Sequence, residues 1–131
     1  MRHKNSTFLH DIKEFVLKAP SGKKQILAIF GFLKLFFNRK DFNGCWCINT
    51  ISEIPKGDEK IRKEIKAQKE QFLSFIEDLV NFNFPKKNKK ERQSLTKSIY
   101  VLYESAVSES HLHQEMWPIE TANEICKKII S

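Results

Sequence analysis

The sequence contains few of the residues that mark several classes of protein. Four glycines and four prolines exclude a collagen-like or low-complexity chain and argue against a β-sandwich with many tight turns. Three cysteines are too few, and odd in number, for the disulfide framework of a small secreted protein. A reduced intracellular compartment is therefore the better interpretation.

Long hydrophobic runs are also missing. A membrane span needs about 18 consecutive apolar residues, whereas the longest run here, 26–37, has twelve and is interrupted by Gly31 and Lys34. This run begins too late for a signal peptide and has no small-residue cleavage site after it. It is more typical of a helix that is buried on nearly all sides. We expect a cytoplasmic protein without a membrane partner.

The residues that are abundant predict one folded domain. Apolar residues make up 40% of the 131, charged residues make up 30%, and there are eleven phenylalanines. A disordered chain has too little apolar surface to offset the entropy of ordering. This chain has enough apolar residues to form a core. Its length fits a single domain over residues 1–131.

The formal net charge of +7 is unevenly distributed. Residues 1–57 carry +6, and the densest basic run lies in 86–92. Such a run is either a phosphate-binding surface or a solvated loop between two helices. No interleaved aromatic residues and no groove-reading motif accompany it, which favours the loop.

Apolar periodicity predicts helices throughout. The prolines at 20, 55, 85 and 118 fall where an apolar period stops or starts, and proline is tolerated at a helix end or in a first turn. Between them the apolar residues recur at helical spacing. The predicted helices are 6–18, 23–37, 44–54, 58–82, 89–108 and 118–130, with 111–117 as a connection. The predicted fold is an all-α bundle of about six helices.

The sequence contains no motif that supports catalysis. Cys45 and Cys47 are two residues apart and point to different faces of a helix, so they do not chelate one metal together. His111 and His113 resemble a chelating pair only if their connection is extended, and a solvated linker is the favoured alternative. We find no phosphate-binding glycine loop and no nucleophile elbow. We therefore expect neither an enzyme nor a metal or cofactor.

The stretch after the phenylalanine-rich helix carries a resemblance to a known family. An aromatic residue is followed by Gly-Cys at a helix start, then by Asn and Glu, and these places are filled by Phe42, Gly44, Cys45, Asn49 and Glu53. The order of elements and these residues resemble the C-terminal half of the tetracycline-repressor (TetR) family of bacterial transcription regulators. That family often has Gly-Ala in its penultimate helix, where this chain has Ser105-Ala106.

The resemblance implies an effector-binding and dimerising regulatory domain. The helix-turn-helix that binds DNA in the family has no counterpart in residues 1–19, so we expect DNA contact only through a domain outside these 131 residues. The chain would then be an excised regulatory domain or a truncated member. The alternative, from a different class, is a helical protein–protein interaction module without a ligand.

Two sets of residues follow from this hypothesis. An effector that is small and apolar or amphipathic would lie beside the second helix, because pockets are mostly apolar with a few polar groups. The predicted ligand-binding residues are Phe30, Leu33, Phe37, Cys45, Trp46, Asn49, Phe72, Phe75, Ile76 and Tyr103. A two-fold homodimer would use narrow apolar seams on the last two helices. The predicted interface residues are Leu95, Ile99, Leu102, Tyr103, Ala106, Ile119, Ala122, Ile125 and Ile129.

Overall fold

The computed structural model describes residues 2–37 and 59–131 of the chain. These residues form five helices and contain no strand, which confirms the all-α class for the described part. The helices are α1 (Arg2–Leu17), α2 (Lys23–Phe37), α3 (Glu59–Asn83), α4 (Lys89–His113) and α5 (Trp117–Ile130). The predicted helix 44–54 lies outside the described residues.

The predicted boundaries agree best where the sequence contains a turn signal. Helix α2 spans the predicted range, since the Pro20–Gly22 turn ends just before it. Helix α4 begins at Lys89 as predicted, after an Asn88 cap whose side chain accepts from the Glu91 amide at 2.8 Å. It continues to His113 instead of ending near 108, so the first three residues of the predicted connection 111–117 belong to this helix. Helix α1 begins earlier than predicted, at Arg2.

The two longest helices, α3 and α4, run antiparallel. They are joined by residues 84–88, and side-chain pairs connect Lys69 with Glu104 and Phe72 with Tyr103. Helix α5 returns along α4 and also packs against α2, while α1 packs mainly against α2. None of the described helices combines the length and the apolar character needed to cross a bilayer.

The core is formed by apolar side chains from all five helices. Most of its members are aliphatic, and their burial follows the helical period on each element. Fully buried members include Ile12, Val16, Ile26, Ile29, Phe30, Ile76, Val80, Ile99, Ile119 and Cys126. Helix α2 contributes to this core on several sides, and this burial accounts for its nearly continuous apolar sequence.

One asparagine joins the α1–α2 turn to the end of α3. The Gly22 amide donates to Asn83 Oδ1 at 2.6 Å, and Asn83 Nδ2 donates to Gln25 Oε1 and to the Leu79 carbonyl, both at 2.9 Å. Gly22 has φ +99°, a backbone conformation that glycine adopts without steric cost. These hydrogen bonds hold two chain connections together at one end of the bundle.

Candidate functional site

Aromatic rings from α1, α2 and α3 converge on Tyr103 of α4. The ring centroid of Tyr103 lies 4.7 Å from that of Phe72 and 6.5 Å from those of Phe30 and Phe8. These distances are in the range in which aromatic pairs attract each other beyond simple burial. We call these four residues the Tyr103 cluster.

Phe8 connects this cluster to a second group of rings on α2. Its centroid lies 5.8 Å from those of Phe32 and Phe36, in edge-to-face geometry, and 6.4 Å from that of Phe72. Sequence reasoning placed Phe8 on the apolar face of the first helix but did not include it in the site. The sequence shows that Phe8 lies on the apolar stripe of the first helix. It does not show against which other helix that stripe packs.

Polar groups lie beside the cluster on the α3–α4 side. Gln68 is buried one turn before Phe72, and its side chain brings an amide into an apolar environment. Lys69 forms an ion pair with Glu104, and both side chains are largely shielded from solvent. An apolar region with a phenol, an amide and a charged pair at its edge has the composition of a small-molecule site.

The structure places the predicted ligand-binding residues in two groups. Six of them, Phe30, Leu33, Phe72, Phe75, Ile76 and Tyr103, are buried in one core, and Phe37 is partly buried and packs against it. Ring contacts bring Phe30, Phe72 and Tyr103 together. The remaining three, Cys45, Trp46 and Asn49, lie outside the described residues.

Most of the predicted dimer seam is used inside the chain. The predicted residues that are buried here are Leu95, Ile99, Tyr103, Ala106, Ile119 and Ala122. They are covered inside the chain, because α4 packs against both α3 and α5 and α5 also packs against α2, so these six side chains do not form a free surface for a second copy. Leu102 is partly exposed, and Ile125 and Ile129 are 41% and 37% exposed.

Among the residues that the structure describes, His111 and His113 belong to no group of three or more potential metal ligands. The His113 ring packs on Trp117, with centroids 5.3 Å apart. The described residues bring one different group together, in which ligand atoms of His10, Asp11 and Glu14 all lie within 4.8 Å of one another. His10 and Glu14 are exposed and 3.4 Å apart across one helical turn, a spacing that sequence reasoning missed.

Cys126 is the buried thiol of α5. Burial raises the pKa of Cys126 to about 12, so the thiol stays protonated at neutral pH. We expect iodoacetamide to modify Cys126 far more slowly in the native protein than in urea, because only the thiolate is nucleophilic. Peptide mapping by mass spectrometry after timed alkylation at pH 8 measures both rates. Equal rates in the two states would contradict the burial of Cys126.

The same pKa direction gives a pH dependence of stability. The folded-state pKa lies above the ordinary value of 9.0, so the unfolded chain loses this proton first as the pH rises. The contribution of Cys126 to the free energy of unfolding is therefore fully present below pH 9 and falls toward pH 12.

Comparison with known proteins gives no relative. No family model, no curated protein and no solved structure matches this chain.

Proposed function

We propose that this chain is an effector-sensing and dimerising domain of a TetR-like transcription regulator. Its effector is a small apolar or amphipathic molecule that binds at the Tyr103 cluster. DNA is contacted by a helix-turn-helix domain outside these 131 residues. The observation that carries the proposal is the convergence of aromatic rings from α1, α2 and α3 on one buried tyrosine of α4.

The chemistry of the cluster supports an amphipathic effector. Rings provide flat apolar surface, and the Tyr103 hydroxyl and the Gln68 amide provide directional hydrogen bonds. The Lys69–Glu104 pair lies beside them on the same two helices. A ligand with one polar group on an apolar body satisfies both parts of such a site.

The position of Tyr103 supports a regulatory role. Helix α4 carries Tyr103 and also packs along α5, which presents Ile125 and Ile129 at the surface. A ligand that contacts Tyr103 together with Phe30 of α2 therefore acts on α2 and α4, the helices against which α5 packs. The dimer surface that we propose is the exposed side of α5, with Ile125 and Ile129. The ligand shifts the arrangement of these helices only by its difference in affinity for the two arrangements.

A specific observation favours a second candidate, the ligand-free interaction module. The rings of Phe72 and Tyr103 already pack against each other, with their centroids 4.7 Å apart. A ligand that binds between them must therefore displace one of the two rings. If the rings only fill the core, function depends on the outer surface. Exposed apolar residues on that surface include Val101 and Leu112 of α4 and Trp117 of α5.

A thermal-shift experiment tests the proposal. The full chain is heated with a panel of apolar and amphipathic compounds, and a true effector raises the unfolding temperature as its concentration rises. We expect Tyr103→Phe, which removes one hydroxyl, to reduce the shift. Tyr100→Phe is the comparison variant: it removes the same group from the half-buried Tyr100 of the same helix, whose ring also contacts that of Phe72, with centroids 6.2 Å apart.

Two outcomes contradict the proposal. One is that no compound in the panel stabilises the chain, which favours the interaction module. The other is that Tyr103→Phe and Tyr100→Phe give the same shift as the unchanged chain, which places the ligand away from the Tyr103 hydroxyl.

A further inference from the structure

Two connections of the chain meet at one end of the helix bundle. The hydrogen bonds of Asn83 to Gly22 and Gln25 hold the α1–α2 turn against the end of α3, where the α3–α4 connection begins. We define the basic pole as residues 17–24 and 82–92. These segments are more than 50 residues apart in the sequence and adjacent in the fold.

The basic pole carries the whole formal net charge of the protein. It contains eight basic residues and a single acidic one, Glu91, out of 23 and 16 in the chain. The basic residues are Lys18, Lys23, Lys24, Lys86, Lys87, Lys89, Lys90 and Arg92. The rest of the chain therefore contains fifteen residues of each sign and is neutral.

Most of this charge faces solvent. Of the seven lysines, all but Lys87 are exposed. The Lys87 ammonium lies 5.7 Å from the centroid of the Phe84 ring, and Arg92 donates to the Lys87 carbonyl at 2.6 Å. The Glu91 carboxylate is engaged with the Asn88 amide in the α4 capping box. The pole is thus a surface of exposed cations around an ordered connection.

Large apolar side chains are exposed at the same pole. Leu17 at the end of α1 is 60% exposed, and Phe82 in the last turn of α3 is 68% exposed. Each lies within one turn of the connection that carries the lysines. Leu17 and Phe82 therefore add apolar surface to the same end of the bundle that carries the dense positive charge.

We propose that the basic pole docks the protein on the surface of a membrane that contains anionic lipids. Stable peripheral binding needs two signals, electrostatic attraction to acidic headgroups and apolar side chains that enter the interface. The pole supplies the first through its lysines and the second through Leu17 and Phe82. The Asn83 hydrogen bonds to Gly22 and Gln25 join the two connections that carry these features.

A nucleic-acid surface accounts for only part of these observations. Lysines neutralise phosphates in either case, and Phe82 offers a ring on which a base stacks. Leu17 offers neither a hydrogen bond nor a ring, so a nucleic acid gives it no role. An acyl-chain boundary gives a role to both side chains, and for that reason we favour the membrane.

The docking surface is separate from the proposed effector site. Phe82 follows Phe72 by ten residues, which is about 15 Å along the α3 axis. Membrane docking is therefore tested independently of the effector proposal.

The expectation of no membrane partner was based on the absence of a spanning segment. Docking on a membrane surface needs no such segment.

Vesicle flotation of the full chain tests the proposal. Phosphatidylcholine vesicles are compared with vesicles that also contain phosphatidylserine, at low and at physiological salt. We expect binding only to the acidic vesicles, and weaker binding at the higher salt because the charges are exposed. The double variant Lys86→Glu/Lys90→Glu should lower the affinity about tenfold or more, since each lysine near an acidic surface contributes to binding.

Two further variants separate the charge of the pole from its apolar part. Lys63→Glu/Lys66→Glu changes the net charge by the same amount as Lys86→Glu/Lys90→Glu. Both residues are exposed on α3 and lie about 24 Å or more from Phe82 along the helix. This variant should leave binding to acidic vesicles nearly unchanged. Phe82→Ser should lower the affinity for acidic vesicles several-fold while the lysines are intact. Circular dichroism and thermal unfolding confirm that each variant is folded, as expected for exposed positions.

Each alternative result overturns the proposal. Equal loss of binding in the two double variants means that only net charge matters. No binding of the unchanged chain to acidic vesicles at low salt removes the docking surface. Tighter binding to a single-stranded oligonucleotide or to a DNA duplex than to acidic vesicles at the same salt identifies the pole as a nucleic-acid surface instead.

Discussion

Replacing Ile99 with aspartate is expected to prevent folding. Ile99 has no exposed surface, and an unpaired carboxylate placed there loses its hydration, at a cost of several kcal/mol. The total stability of a domain is only about 5–15 kcal/mol. We expect Ile99→Asp to lose the cooperative thermal transition in circular dichroism, whereas Ile99→Ala should fold and lose about 2–5 kcal/mol in urea unfolding.

Ile125→Asp is the matched control for this prediction. Ile125 is 41% exposed on the neighbouring helix α5, so its carboxylate remains hydrated and the chain should stay folded. Sedimentation of this variant at tens of micromolar then tests whether a dimer uses the exposed side of α5. A wild-type unfolding midpoint for Ile99→Ala would contradict the placement of Ile99 in the core.

The contrast between these two isoleucines shows what sequence periodicity determines. Both lie on narrow apolar stripes, and the sequence predicted that both stripes form a seam between two copies. A stripe at helical spacing shows that one face is covered, but not whether the same chain or another covers it. In the structure α4 packs against both α3 and α5, and Ile99 of α4 is fully buried whereas Ile125 of α5 is 41% exposed.

Helix boundaries were predictable where a residue type restricts the backbone. The Pro20–Gly22 turn was located from the sequence and precedes α2, and the beginning of α4 at Lys89 was also predicted, although the Asn88 cap before it was not identified from the sequence. The end of α4 was not, because the polar residues after Ser108 were interpreted as a linker. Exposed helix faces are also polar, and the helix ends at His113, where the capping residue Gln114 adopts the left-handed conformation at φ 55°.

The parts of each site that depend on tertiary contacts could not be predicted. The sequence predicted that Phe30, Phe72 and Tyr103 line one ligand site, but periodicity does not show which rings contact each other. The basic run at 86–92 was visible in the sequence, whereas its junction with 17–24 depends on the hydrogen bonds of Asn83. An isolated lysine run favours a solvated loop, and only the folded chain adds Leu17 and Phe82 to it.

Replacing Phe72 with alanine is expected to cost about 3–5 kcal/mol of unfolding free energy. Phe72 is 6% exposed, and its ring contacts those of Tyr103, Tyr100 and Phe8. Removing it creates a cavity and also loses the aromatic pairs, which contribute about 0.5–1.5 kcal/mol each beyond burial. Urea unfolding followed by circular dichroism, with linear extrapolation to water, measures the change.

Phe82→Ala removes the same side chain ten residues later in the same helix, so helix propensity changes equally in both variants. Because Phe82 is 68% exposed, Phe82→Ala should change the unfolding free energy by no more than about 0.5 kcal/mol. Equal costs for the two variants would mean that the Phe72 ring is not packed against Tyr103. A large loss confined to Phe72→Ala would place the Tyr103 cluster in the stabilising core, where an effector gains access only by displacing a ring that the fold itself uses.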